Sequence, residues 1–506
     1  MERKGSSTLL VTAKRFDRIK NGAGLPQNRA GLISELKAIV GERHVLSDPI
    51  DLSVYECDAE TFDVAVPDLV VLPGSSKEVA AVVKLANRHQ IPFTPRGAGT
   101  GLSGGATTVR GGISLVLSRM TKILSIDADE QIAVVEVGAT NASVSQAAAK
   151  YGLHYAPDPS SQAASTIGGN IAENAGGPHT LKYGLTVDHV LGVKVILPSG
   201  ESTTFGGDTI AAPGIDWLGL FVGSEGTLGF ATEATLRLTM APPAVKTMIA
   251  YFDTVEAGGE AVSKVVAAGV VPAAMEMIDR LTLNAVEDAL HLGLSREAGA
   301  LLIIELDGSE LSISFEKDVV ERLVRDGGAT AIKWAKDAEE RAKIWKARKA
   351  SFGSLGRIAP HGYVLDGVIP RSRLAQAIRQ IDEIGKQYSV QIANVYHAGD
   401  GNLHPCLLYH QDNVQEVKRV MEAGRKILDL CVQLGGTLSG EHGIGIEKME
   451  AMSAVFTEEE MAAMAMVKST FDPDYHCNPG KLLPMPKSCG ESGLRPLLRH
   501  TLSTGC

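Results

Sequence analysis

Residues 95–105 read Pro95-Arg96-Gly97-Ala98-Gly99-Thr100-Gly101-Leu102-Ser103-Gly104-Gly105, and what the chain does after this loop decides the fold. Its segment from Gly99 to Gly104 matches G-x-G-x-x-G, the fingerprint of a dinucleotide held at a helix N-terminus. Such a loop must open a helix. Here the chain runs on as GATTVRGGISLVLS, rich in glycine and β-formers and without helical periodicity. A nicotinamide-binding Rossmann unit is therefore disfavoured. Two readings stay open for the loop alone: a glycine-rich turn without a ligand, or a run of bare amides converging on an anion such as a pyrophosphate.

Working outward, PDLVVLP reads as a strand, and Ser75 with Glu78 forms an S-x-x-E capping box before a helix with Val79, Val82, Val83 and Ala86 on one face. IPFTP, GGISLVLS and QIAVVEVG read as further strands, the last two flanking a turn at Asp127 to Glu130. A helix capped by Asn141 is expected to run to Gly152 with Val144, Ala147 and Ala148 inward. Two more glycine clusters follow. Pro157-Asp158-Pro159-Ser160-Ser161 leads into Gly168-Gly169-Asn170 and Asn174-Ala175-Gly176-Gly177, and Gly223-Ser-Glu225-Gly226-Thr-Leu-Gly229 comes later. Small residues make room for a flat ring and asparagine amides both donate and accept. Three such clusters within about 130 residues fit a long, two-ended cofactor. Ala241-Pro242-Pro243 marks the expected domain boundary, because tandem prolines stop regular structure. Beyond it strands and helices alternate as in an α+β domain, and a short tail begins at about 486.

Composition narrows the classes. At roughly 150 residues per domain, 506 residues imply about three domains, too long for a small binding module. Lys plus Arg number 49 against 59 Asp plus Glu, a net charge of −10 with no single-sign block, which argues against nucleic acid as a partner. With 44% hydrophobic and 21% charged residues the chain can bury large cores. The basic opening stretch has acids and only a short apolar run, so it reads as cytoplasmic rather than as a signal peptide, with a transit peptide as the lesser reading. No apolar run approaches the ~20 residues of a transmembrane segment. The six cysteines, Cys57, Cys406, Cys431, Cys477, Cys489 and Cys506, are widely spaced, with no iron–sulfur or zinc-ribbon pattern.

In the C-terminal half, VQIANVYHAGDGNLHPCLLYH reads as two β runs joined by a Gly-Asp-Gly turn, bringing His397 and His404 together at the hairpin neck. Ser439-Gly440-Glu441-His442-Gly443 follows. On spacing alone these residues are either a metal clamp, with Glu441 as an oxygen ligand, or hydrogen-bonded turn residues. Arg348, in WKARKASF, is either a carboxylate clamp or one more solvated helix cation beside Lys343, Lys346 and Lys349.

From about residue 45 to 485 the motifs PRGAGTGLSGG, YAPDPSSQ, IGGNIAENAGG, LKYGLTV, GSEGTLG, HAGDGNLHP, SGEHGIG and NPGK occur in order. This chain resembles the vanillyl-alcohol oxidase type of FAD-linked oxidases. Within it the nearest branch is that of glycolate oxidase catalytic subunits, with D-lactate and D-2-hydroxyglutarate dehydrogenases similar in the same motifs. The resemblance implies an α+β architecture: a two-lobed FAD-binding (PCMH type) domain at 63–243 after an N-terminal segment 1–62. A C-terminal substrate or cap domain at 244–485, with a mostly antiparallel sheet and C-terminal helices, precedes a tail at 486–506. It implies FAD bound non-covalently, since no matched attachment residue is present. The residues it assigns to the cofactor are Pro95 to Gly104, Pro157, Asp158, Ser161, Gly168, Gly169, Asn170, Asn174, Gly176, Gly177, Glu225, Gly226 and Asn478. It implies a divalent metal such as zinc on His397, His404 and Glu441, with His442 as the base and Arg348 on the substrate carboxylate. Apolar Phe352 and Val364 stand where 2-hydroxyglutarate enzymes carry polar contacts, favouring a small monocarboxylate, and Tyr363 and Asp366 are candidates to shape the pocket. Electrons would leave for an iron–sulfur subunit, with a second FAD-domain subunit, and a quinone or cytochrome as final acceptor. That would put the protein in the cytoplasm, peripheral to the inner membrane through its partners. Direct oxidation by oxygen and a non-catalytic flavin scaffold are the alternatives.

Overall fold

The computed structural model describes Leu25, residues 28–209 and residues 214–484; the basic opening stretch and the tail lie outside them. The first lobe is a four-stranded sheet of β1 (Val45–Leu46), β2 (Leu69–Val71), β3 (Phe93–Arg96) and β4 (Ile113–Val116), ordered β1-β2-β4-β3. Its β2 and β3 run parallel to β4. Helix Ser76–Arg88 makes the crossover from β2 to β3, burying Val79, Val82, Val83 and Ala86 as their spacing predicts. Ser75 Oγ accepts from Glu78 N at 3.2 Å, but the Glu78 carboxylate accepts from Gly74 N rather than from Ser75, so the capping box is shifted by one residue. No helix follows the glycine loop: the chain passes through turns into β4.

The second lobe is an antiparallel sheet of β5 (Ile123–Asp127), β6 (Ile132–Glu136), β8 (Val190–Ile196), β9 (Ser202–Gly206) and β10 (Phe230–Arg237), ordered β5-β6-β10-β8-β9. A two-stranded pair, β7 (Leu153–His154) with β11 (Thr239–Met240), flanks it. The helix expected from Asn141 to Gly152 is shorter and capped one residue earlier. Thr140 Oγ1 accepts from Ser143 N, Asn141 is already helical with its amide on Pro157 O, and the helix ends at Ala148 before a 3₁₀ turn. Ala147 is only partly buried, unlike Val144 and Ala148. The second glycine cluster contains a helix, Ile167–Glu173, capped by Thr166.

Beyond the prolines comes an eight-stranded antiparallel sheet: β12 (Ala244–Phe252), β13 (Ala274–Asp279), β14 (Ala300–Gly308), β15 (Ala331–Trp334), β16 (His361–Val364), β17 (Gly367–Val368), β18 (Gln391–His397) and β19 (Asn402–Tyr409). The order is β15-β12-β14-β13-β18-β19-β16, with β17 also on β19. Strand alternation divides its residues between two faces. Met248, Met277, Ile304, Tyr396 and Leu403 pack in one core with helices Val255–Ala267, Glu310–Asp326, Leu374–Tyr388 and Val414–Gln433. The opposite face carries Ile249, Ile278 and Ile303, together with Glu276, Glu305, His397 and His404, and helix Ala338–Lys349 lies over it.

The chain then returns to the first body. Helix Glu458–Phe471, with a reciprocal Thr457–Glu460 capping box, packs Val467 and Phe471 on the core of the two lobes. Phe93 N donates to His476 O and Asn478 N to Phe93 O, so residues 476–478 extend the edge of the first sheet. Helix Arg29–Val40 buries Leu32, Leu36 and Val40 in that same core. Residues 29–40 and 458–478 thus each contribute packing to the lobed body.

Candidate active site

The hairpin β18–β19 pairs His397 with Asn402 and Val395 with His404, so both histidines project from the same face. Their ring centroids are 4.9 Å apart. Each Nε2 faces one oxygen, Glu441 Oε1, at 3.2 Å from His397 and 3.1 Å from His404. Each Nδ1 is engaged by an acceptor, that of His397 by Glu276 Oε1 at 2.7 Å and that of His404 by Leu365 O at 3.1 Å. Acceptors on both Nδ1 atoms require protons there, which turns both Nε2 lone pairs toward a carboxylate oxygen. A cation must stand among them, either protons or a metal ion. Burial disfavours charge on His397, but Glu276 and Glu441 outweigh it and raise its pKa well above the usual value. The donor set and its outer carboxylate and carbonyl fit a divalent metal.

Glu441 and His442 sit on a loop tied down by Asp366, which is fully buried. The Asp366 carboxylate accepts from the amides of Gly440, Glu441 and His442 and from Ser439 Oγ. The His442 ring stacks on His404, centroids 4.9 Å apart and planes within 10°. Its Nδ1 is buried without a partner. Burial, helped by the nearby His404 and Lys448 and opposed by Asp366, pushes its pKa down to about 4.

Arg348, on helix Ala338–Lys349, is 2% exposed, which overturns the reading of a solvated surface arginine. Its Nε donates to Glu276 Oε2 at 2.5 Å, while Nη2 is buried with no partner. Arg348, Phe352, His397, His404, Glu441 and His442 all line a cleft whose other walls come from the lobed body.

Those walls contain the glycine clusters. Pro95 to Leu102, Ser161, Gly168, Gly169, Asn170, Glu225 and Gly226 line the cleft. The buried oxygens Ser165 Oγ, Asn170 Oδ1 and Ser224 Oγ, on residues that line it, have no protein partner, as expected of groups awaiting a polar ligand. Bare glycine amides, orphaned polar atoms and a cleft lined by both bodies fit FAD.

Other expected cofactor residues do not line the cleft and support its walls instead. Asp158 accepts from His179, Asn174 Oδ1 from Val187 N, and Gly104 abuts Ile446. Pro157 receives the Asn141 amide, and Ser103 accepts through its backbone from Ile446 N. A Cβ on Gly176 would stand 2.8 Å from Glu441 Oε2, and Gly177 is wedged against Asp158. Asn478 is 1% exposed beneath the glycine loop, its amide donating to Gly105 O and Glu225 O. Glu225, besides lining the cleft, accepts from Ile444 N at 2.6 Å and Gly445 N at 2.7 Å, which fixes the loop just after His442. Tyr363 packs on Phe62, and neither it, Val364 nor Asp366 lines the cleft. Glu276 and the buried Glu173 and Lys448 were not singled out from sequence. The one available signal for Glu276 was an acid inside the apolar β run Ala274-Met-Glu-Met-Ile278.

The family model described as FAD binding domain matches residues 67–206, and that described as FAD linked oxidases, C-terminal domain, matches residues 241–482. Glycolate oxidase subunit GlcD of Escherichia coli (strain K12) is 43% identical over 94% of this chain and 95% of its own. GlcD of Bacillus subtilis (strain 168) is 37% identical over 85% and 92%. D-lactate dehydrogenase of Archaeoglobus fulgidus is 34% identical over 82% and 91%. Among solved structures, p-cresol methylhydroxylase with substrate bound superposes with a TM-score of 0.75 over 91% of this chain and 98% of that one, at 17% identity, a likeness of fold.

Proposed function

The chain belongs to the FAD-linked oxidase family, and on that premise we propose that it oxidises a small 2-hydroxy monocarboxylate, glycolate first and D-lactate second, to the 2-oxo acid. The observation that carries this reading is one cleft wall on which a buried arginine with a free Nη2, a neutral histidine and a His-His-Glu set converge, facing the FAD-binding lobes. Bound FAD would supply the two-electron acceptor, and a divalent ion held by His397, His404 and Glu441 would supply Lewis acidity. Arg348 holds the carboxylate through its unpartnered nitrogen, a charge-assisted contact strengthened by exclusion of water. His442, uncharged near pH 7 and so with one ring nitrogen able to accept, takes the hydroxyl proton as the C2 hydride departs. Phe352 closes the pocket with an apolar ring, its centroid 6.4 Å from that of His404, and places no second cation there for a distal carboxylate.

Among the described residues no helix is long and apolar enough to cross a membrane. Their free cysteines, Cys57, Cys406, Cys431 and Cys477, are scattered and form no cluster site. For onward electron transfer we propose an iron–sulfur subunit alongside a second FAD-domain subunit, and then a quinone or cytochrome, with membrane association peripheral and through those partners. The test is anaerobic titration of the purified chain with glycolate, D-lactate, L-lactate and D-2-hydroxyglutarate while its visible spectrum is followed. Bleaching fastest with glycolate supports the assignment. A yellow protein that none of them bleaches would return it to a scaffold role.

A further inference from the structure

We infer that Glu276 is a positioning residue that sets both arms of the site at once, the Arg348 guanidinium and the His397 imidazole; the inference rests on the oxidation proposed above. Glu276 lies in the middle of β13, directly opposite His397 in the register with β18, on the sheet face covered by helix Ala338–Lys349. It is 0% exposed on the sheet face that also carries Ile278 and Ile303, an environment that tolerates a carboxylate only when it is fully paired. Its two oxygens are divided between two elements. Oε1 takes His397 Nδ1 at 2.7 Å, and Oε2 takes Arg348 Nε at 2.5 Å. A carboxylate can only accept here, so the proton of His397 is fixed on Nδ1 and the lone pair of Nε2 is aimed at Glu441 and His404. Anchoring Arg348 through Nε leaves its Nη2 buried and unpartnered in the cleft. One carboxylate therefore fixes a tautomer on one side and the heading of a guanidinium on the other. The distance between the metal-ligand set and the carboxylate clamp, which a 2-hydroxy acid must span, is held by this single group.

The experiment uses the full-length FAD-loaded protein. In Glu276→Gln the amide nitrogen must face either His397 Nδ1–H or Arg348 Nε–H, donor against donor, so at least one arm is released. Flavin content is read by absorbance, zinc affinity by competition with a chromogenic chelator, and glycolate affinity and limiting rate by anaerobic stopped-flow reduction. The expectation is unchanged flavin content with zinc or glycolate affinity, or both, weakened about 10–100-fold. Arg348→Met is expected to weaken glycolate alone and keep zinc. Wild-type zinc and glycolate affinities in Glu276→Gln overturn the inference, as does a wild-type protein that binds no zinc. Should Glu276→Gln fail to fold, the charge-balanced double variant Glu276→Leu with Arg348→Met removes the whole buried pair. Its zinc affinity is expected below that of Arg348→Met, and equality overturns the His397 half. A wild-type flavin that no 2-hydroxy acid reduces would sink the oxidation reading instead, and the zinc comparison would still decide for or against Glu276.

Discussion

At His442 the backbone and the ring have separate duties, since the amide is spent on Asp366 while the ring faces the cleft with Nδ1 free. His442→Ala is therefore expected to leave the loop and the flavin in place while slowing anaerobic flavin reduction by glycolate about 10²–10⁴-fold, the usual worth of a general base. An unchanged reduction rate would remove His442 from the mechanism. Arg348→Lys keeps the charge but loses the planar fork. It should raise the glycolate KM about tenfold or more, by the ~1.5–3 kcal/mol of a charge-assisted hydrogen bond, with less effect on kcat. A kcat loss with unchanged KM would argue against a binding role. Residues of this kind were legible in the chain where chemistry is clustered: His397, His404, Glu441 and His442 stand in short motifs whose glycines advertise tight turns. Glu276 is a single acid in an apolar β run, and Asp366 is picked out only by the resemblance, as a residue shaping the pocket. Their importance comes from strands and loops folded over them, and nothing local announces which buried acid will hold two partners.

The elements that carry the site are held by long-range straps. Residues 476–478 add to the edge of the first sheet, and Asn478 and Lys481 reach the carbonyls of Gly105 and Thr107 under the glycine loop. Asn478→Ala leaves the Glu225 carbonyl short of a donor and Gly105 O with Lys481 alone, at a cost of about 1–3 kcal/mol. The expected outcome is a lower unfolding temperature and faster flavin loss on dilution, followed by the rise in flavin fluorescence; an unaltered release rate would show that the strap does not tension the loop. Strand and helix patterns near this loop were readable because alternation and 3.6-residue spacing are local. The misplaced cap at Asn141 shows the limit, since Thr140 and Asn141 are both good caps and only the pull of Pro157 O on the Asn141 amide decides between them. Helix Ile167–Glu173 was hidden because two of its seven residues are glycine, and it is stabilised by the Thr166 cap and burial of Ile167 and Ile171 rather than by propensity. The strap was unreadable for a different reason: a pairing nearly 400 residues apart has no periodic signature.

Across the whole molecule the two bodies meet on both sides of the cleft. On one side loop closeness requires glycine: Gly445, at φ +50°, would place a Cβ 2.0 Å from Ser103 O. On the other, His179 of the lobed body reaches the eight-stranded sheet. Its Nδ1 lies 2.8 Å from Asp158 Oδ2 and its Nε2 3.2 Å from Glu305 Oε1; Arg341 also donates to the Glu305 carboxylate, and Trp345 Nε1 and Thr247 Oγ1 donate to its Oε2. Lys182 and Tyr183 add contacts to Asp307 beside it. Motifs marked both bodies in the sequence, but this junction is built from residues 126 positions apart whose types alone suggested nothing. Burial opposes a charge on His179, yet the two carboxylates prevail and raise its pKa from 6.5 to about 10. A raised folded-state value means that the stabilisation is complete below pH 6.5, where folded and unfolded chains are both protonated. It is then lost as pH climbs through 10, because the unfolded chain has already given up its proton. For a partly solvated cluster we expect a loss of about 2 kcal/mol across that window. His179→Gln should be less stable than wild type at pH 6, and the gap should close as the pH approaches 10. Unfolding temperatures of the two FAD-loaded proteins measured side by side from pH 6 to 10 test this. A gap that stays constant over that range would mean that His179 joins the two bodies by shape and not by charge.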